Sequence, residues 1–166
     1  MAVVAARSFG LARLASAVMA LFLCLAFTAA AGEKFDTQPL TIVTRNGKSH
    51  AFTVELAVTP RQREQGLMYR REMAPDHGML FAFGETRQVF MWMKNTYLAL
   101  DMLFIGKDGR IRAIKENAEP LSESIIDSKG PIDYVLELNA GTTRRLGIRT
   151  GNRVENALID TLRKGQ

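Results

Sequence analysis

The chain has 166 residues, 22 of them basic and 17 acidic, with a formal net charge of +5 and 47% apolar residues. This mildly basic balance calls for no nucleic-acid partner, and the chain contains no internal repeat or low-complexity segment. Its single cysteine, Cys24, lies in an apolar N-terminal run, which excludes disulfides and thiol nucleophiles from everything after it.

Arg7 and Arg13 precede the uninterrupted apolar run Leu14 to Phe27, and Ala29-Ala30-Ala31 supplies the small residues of a signal-peptidase site. Residues 1–31 are therefore expected to be a secretory signal with Gly32 as the mature N-terminus, and the protein to be periplasmic or secreted. The alternative is an uncleaved anchor, because residues 14–32 carry no charge and barely suffice to span a bilayer. Lipid attachment is excluded, since Cys24 follows Leu23 where a small residue is required. Removing the segment leaves 166 − 31 = 135 residues, enough for one core, and a balance of 20 − 17 = +3.

Residues 32–39 read as a linker, and 40–155 as a single β domain. "LTIVTRNGKSHAFTVELAV" alternates on both sides of Asn46-Gly47, so strands are expected at about 40–45 and 48–58 around a tight turn. In "TPRQREQG", Thr59 can cap a short helix, Pro60 takes its first position, Gln62 completes a capping box and Gly66 closes the end. "APDHG" is turn chemistry before the short strand "MLFAF". "GETRQ" reads as another turn, leading into the strands "VFMWMK" and "LDMLFI". Asp108-Gly109 marks a hairpin turn into "IRAIKEN", and "AEPLSESIIDSKGP" reads as a long loop. "IDYVLELNAG" is a strand, "TTRRLG" a helical turn, and "IRTGNRVE" enters a last short strand. The tail 156–166 is a marginal helix. Short strands with frequent turns and one or two short helices predict a mainly β fold, an antiparallel sandwich or barrel.

"EQGLMYRREMAPDHGMLFAFGE" and "FMWMKNTYLALDMLFIGKDGRI" resemble the small bacterial and archaeal family known as domain of unknown function 192. The family pattern falls on Gly66-Leu67-Met68, Arg70, Gly78 to Phe83, Trp92 to Thr96, Leu100 to Ile105 and Gly109, and "YVLELNAG" and "GIRTGNRV" resemble its C-terminal part. The likeness spans about residues 40–155. One departure is Ala99, where the family often has a proline two residues before the aspartate. The resemblance implies a mostly antiparallel sandwich of jelly-roll type and brings no activity with it.

If "VFMWMK" and "LDMLFI" form a hairpin around Asn95 to Leu98, then Phe90, Trp92, Lys94, Asp101 and Leu103 share one face. Lys94 and Asp101 become diagonal neighbours there, while Met91, Met93, Leu100, Met102 and Phe104 form the core face. The expected function is non-enzymatic recognition of a polar cell-envelope ligand, a saccharide or peptide fragment, by a monomer. Trp92 would be the platform and Lys94 with Asp101 the polar pair. Asn95 would add a supporting contact, as would Arg70, which occupies the family's arginine position. A hydrolase using Asp101 as general acid or base is a second reading, with Glu116, Glu119 or Glu137 as the further carboxylate a glycosidase would need. A third is a structural module in which Lys94 and Asp101 form an ion pair. The weakest is Cu(I) binding through Met91 and Met93. No cofactor and no metal are predicted: His50 and His77 are the only histidines, and G-x-S-x-G, phosphate-loop and dinucleotide motifs are missing.

Overall fold

In the computed structural model, residues 33–164 are described; the expected signal segment lies outside them. Asn46-Gly47 lies in the turn between β1 (Thr37–Val43) and β2 (Ser49–Ala57). The type I′ form this dipeptide favours would need positive φ at both residues, and only Gly47 has it, at 80°. The connection is a three-residue loop over 45–47, with the Gly47 N–H donating to the Thr44 carbonyl at 2.9 Å. The first helix, α1 (Pro60–Gln65), begins with the expected capping box. Thr59 accepts from the Gln62 backbone N–H at 3.2 Å, and the Gln62 side chain accepts from the Thr59 N–H at 3.0 Å.

The later strands are longer than the punctuation suggested. β3 runs from His77 to Met91 and β6 from Ile126 to Asn139, pairing antiparallel along their lengths. "GETRQ" and "DSKGP", read as turn and loop, lie within this ribbon, which passes through register shifts between Ala82 and Arg87 and between Gln88 and Phe90. Their polarity reflects exposure; it does not end the strands. Side chains staple the bulged part: Thr86 donates to Asp133 at 2.7 Å, Gln88 to Asp127 at 2.8 Å, and the Val89 N–H to the Ser128 hydroxyl at 3.0 Å.

β4 (Leu100–Ile105), β5 (Ile111–Ala118) and β7 (Arg153–Glu155) complete one seven-stranded sheet, ordered β5-β4-β6-β3-β2-β1-β7. This single mixed sheet stands where a two-sheet jelly roll was expected. β2 and β3 are parallel, joined by the crossover that carries α1, and all other pairs are antiparallel. The sheet curls into a half-barrel until its ends meet. The Val154 N–H donates to the Gly109 carbonyl at 2.7 Å, and the Ile111 N–H to the Asn152 carbonyl at 3.0 Å. A Cβ on Gly109 would lie 2.7 Å from the Val154 carbonyl oxygen, so this closure needs glycine.

The predicted hairpin of "VFMWMK" with "LDMLFI" does not form, because β6 lies between β3 and β4. All six β4 residues are buried, and such a strand needs partners at both edges and cover on both faces. Residues 92–99 instead make a crossing loop. The Tyr69 N–H donates to the Asn95 carbonyl, the Leu121 N–H to the Thr96 carbonyl, and the Met93 N–H to the Ser122 carbonyl.

Both faces of the sheet are apolar. Inside the curl pack Leu40, Ile42, Val54, Leu80, Leu103, Tyr134 and Leu136, with Ile159 of the last helix, α3 (Ala157–Lys164), closing one end. On the outer face Met79, Phe81, Met102, Phe104 and Val135 lie under Leu67 and Met93 from the covering segments. Among the described residues no helix is long and apolar enough to cross a membrane.

Candidate functional site

The residues singled out in the sequence separate in space. Asp101 is completely buried on the side of Leu103 and Ile105, and four donors surround it. Its Oδ1 accepts from the backbone N–H groups of Asn117 at 3.0 Å and Gly141 at 3.1 Å. Its Oδ2 accepts from the Thr143 N–H at 2.9 Å and the Thr143 hydroxyl at 2.7 Å. The helix α2 (Thr142–Leu146) has no cap from its own sequence, since Gly141 precedes it; Asp101 does that work from across the sheet.

Among the described residues no ion pair joins Asp101 to Lys94, which corrects the expected pairing. The hairpin that would have brought them together is absent, and the Lys94 ammonium lies 5.4 Å from the centre of the Trp92 ring instead. Asn95 holds the left-handed conformation at φ 56° and points its amide at the Met68 sulfur, 3.9 Å away. Arg70 forms a two-pronged pair with Glu55 at 2.5 and 2.6 Å and lies over Phe35. The hydrogen bonds to Glu55 raise its already high pKa. Trp92 is 47% exposed and borders a cleft.

That cleft, about 210 Å³ in volume, opens between the end of α1, the Gly66–Met68 segment and β3. Glu137 of β6 reaches into it. This residue is 4% exposed, and its cross-strand neighbours are Met79 of β3 and Met102 of β4, both fully buried. Among the described residues its carboxyl group has no hydrogen-bond or ionic partner. Burial in this apolar surround pushes its pKa up to about 8, so at neutral pH the group is predominantly a protonated acid, at once donor and acceptor.

Above it the walls are apolar, with Met68, Phe81, Met91 and Trp92, and the rim is basic. Arg63 and Arg87 both approach the Phe83 ring, at 5.7 and 5.2 Å from its centre. The Arg63 guanidinium donates to the Ala82 carbonyl at 2.9 Å, which anchors α1 to β3. Burial, and then the charge of Arg87, lower its pKa.

A second cleft, of about 680 Å³, lies beside β5 and is bordered by Met93 and Phe104. Met91 lines the Glu137 cleft and Met93 this other one, and both pack in the hydrophobic cluster of the outer face. Among the described residues no group of three or more His, Asp or Glu side chains is arranged to hold a metal.

Glu137 entered the sequence analysis only as one of three carboxylates that could partner Asp101. Along "YVLELN" it alternates with Tyr134, Leu136 and Leu138, as a solvent-facing residue would. Its burial comes from segments remote in sequence that cover the outer face. The one local signal is the apolar character of both its neighbours and its own-face companion Val135.

Residues 41–156 match the family described as Uncharacterized ACR, domain of unknown function 192. The chain belongs to this family. A crystal structure from Sinorhizobium meliloti 1021, of a candidate transcription regulator, is 64% identical with a TM-score of 0.75, covering 76% of this chain and 98% of that one. A protein of unknown function from Novosphingobium aromaticivorans DSM 12444 is 37% identical with a TM-score of 0.69, covering 78% of this chain and 91% of that one. Among curated proteins no relative matches the chain.

Proposed function

We propose that this family member is an exported monomeric binding module, and that it seats a small polar ligand of the cell envelope, a saccharide ring or a peptide fragment, in the Glu137 cleft. The observation that carries this reading is a buried, unpartnered carboxyl group at an apolar cleft bordered by a half-exposed tryptophan. Burying a polar group without a partner costs about 1–3 kcal/mol, and a ligand that hydrogen-bonds to it recovers that cost. The cleft is smaller than the roughly 300–1,000 Å³ of sites for drug-sized ligands, which favours one ring or one side chain over an oligomer.

In this reading Trp92 is the platform, its face held by Lys94, and Glu137 is the hydrogen-bonding group. Asn95 sets the turn that presents Trp92. Arg70 braces the neighbouring segment through Glu55. The Sinorhizobium relative is a candidate transcription regulator, yet many surface arginines here face acids. Arg112 meets Asp108, Arg144 meets Glu116 and Arg153 meets Glu155, which favours a small ligand.

Trp92 is the only tryptophan in the chain, so its fluorescence reports directly on the cleft. Titration with monosaccharides and di- and tripeptides is expected to give a saturable change that Glu137→Leu, which removes the hydrogen-bonding group, abolishes. No saturable change with any of them would rule out the binding reading. Export is tested by N-terminal sequencing of the protein from its native host: a start at Gly32 supports it, and an intact Met1 on cytoplasmic protein overturns it.

A further inference from the structure

We infer that the ligand of the Glu137 cleft is a small organic acid with an apolar or aromatic body, its anionic group held by Arg63 and Arg87 and hydrogen-bonded by Glu137. This rests on the cleft being the binding site, and it selects the acid-bearing members of the saccharide and peptide classes.

The charge arrangement points this way. Arg63 and Arg87 converge on one aromatic ring, close enough for the charge of Arg87 to weaken proton binding by Arg63. Among the described residues no carboxylate forms an ion pair with Arg63. Arg87 forms an ion pair with Glu85 at 3.8 Å, between side chains that are half or more exposed. Two guanidiniums brought together without an acid between them are relieved by an anion, and repel a cation. A neutral carboxyl group lining the same cleft can donate its O–H to such an anion. The same group in ionised form, desolvated between Met79 and Met102, would repel it.

The groups facing the site from each surrounding element are few. β6 contributes Glu137, α1 contributes Arg63 and Glu64, and β3 contributes Arg87. The neighbouring residue of β4 is the uncharged Met102, and the segments 66–68 and 92–96 line the cleft only with uncharged residues. Guanidiniums stay charged across this range, and Glu64 is exposed at the edge of the cleft. Glu137 is therefore the group that titrates near a bound ligand between neutral and alkaline pH. Anion affinity must fall as pH rises through that range, whereas a cation would bind more tightly and a neutral ligand would respond little.

Three probes of one shape separate these cases: benzoate, benzamide and benzamidine, titrated into the full chain with Trp92 fluorescence as the readout. Benzoate is expected to bind best at about pH 6 and at least about 10-fold more weakly at about pH 9.5. Glu137→Gln, its fold checked by thermal melting, keeps an amide donor that cannot ionise. It should retain benzoate at about pH 6 and reduce the pH effect to less than about 2-fold. Arg87→Ala should weaken benzoate and leave benzamide unchanged. Preference for benzamidine, equal binding of benzamide and benzoate, or a pH effect that persists in Glu137→Gln would overturn the acid class while leaving the cleft as a site. If none of the three binds but saccharides or peptides do, this inference fails alone; if nothing binds, the cleft reading fails with it.

Discussion

Asp101 and Glu137 are two buried carboxylic acids on adjacent strands, offset by one residue in register: Asp101 lies opposite Leu138, and Met102 opposite Glu137. They point to opposite faces of the same sheet. Asp101 is surrounded by four donors, three of them backbone N–H groups, and joins β4 to the end of β5, to the turn that follows β6 and to the start of α2. Glu137 has methionines beside it and a cleft in front of it. Equal burial therefore has opposite meanings. A carboxylate whose acceptor capacity is filled by the protein has become part of the framework, and one left without a partner is available to something outside the chain.

The largest test of that contrast is the pH dependence of folding. Glu137 has a folded-state pKa of about 8, above the ordinary glutamate value, so between about pH 4.5 and 8 the native state binds the extra proton. Its contribution is fully present below the unfolded pKa and is lost as pH rises through the folded one, a fall on the order of 5 kcal/mol at most. Urea unfolding at about pH 5 and 9 measures it, and Glu137→Gln should remove most of the difference by stabilising the protein at the alkaline end. A Glu137→Gln variant with the same pH slope as the parent would break the comparison.

Asp101→Ala comes next. It strands the N–H groups of Asn117, Gly141 and Thr143 and should cost about 3–5 kcal/mol in unfolding free energy, with loss of α2 amide protection in hydrogen exchange. Thr143→Val removes only the hydroxyl donor and should cost about 1.5–2 kcal/mol. Lys94→Met is the smallest, within about 1 kcal/mol of the parent, because the ammonium meets only the face of Trp92. A loss above about 3 kcal/mol there would restore a structural ion pair through Lys94 and undo the assignment of Asp101's partners.

Local chemistry in this sequence was legible. Asn46-Gly47, the Thr59–Gln62 capping box and Asp108-Gly109 are decided by residues within a few positions of each other, through φ preferences and short-range hydrogen bonds, and each formed where read. The family pattern also marked the stretch 66–105, where Met68, Trp92 and the turn at Asn95 border the cleft. The hairpin face from which Trp92 was read as a platform does not form, and Trp92 borders the cleft from a crossing loop instead.

The misreadings share a cause. "VFMWMK" and "LDMLFI" are neighbours in the chain and both suit a strand, so a hairpin is the economical reading. β6, more than 20 residues further on, comes between them because β4 is apolar on both faces and needs a partner at each edge. "GETRQ" and "DSKGP" carry turn residues, yet both lie within the β3–β6 ribbon, where Gln88 pairs with Pro131 between two register shifts. Strand pairing is a long-range choice, and a one-residue change of partner or register exchanges the two faces.

By itself, then, the sequence determined the turns, the first helix, the mainly β composition and the family, all through local sterics and motif. Only the tertiary structure decided which strands are neighbours, and that both faces of the sheet are covered. The second of these made the candidate site. Alternation along "YVLELN" looks the same whether its second face meets water or a methionine-rich layer, and only that layer makes Glu137 a desolvated acid beside a cleft.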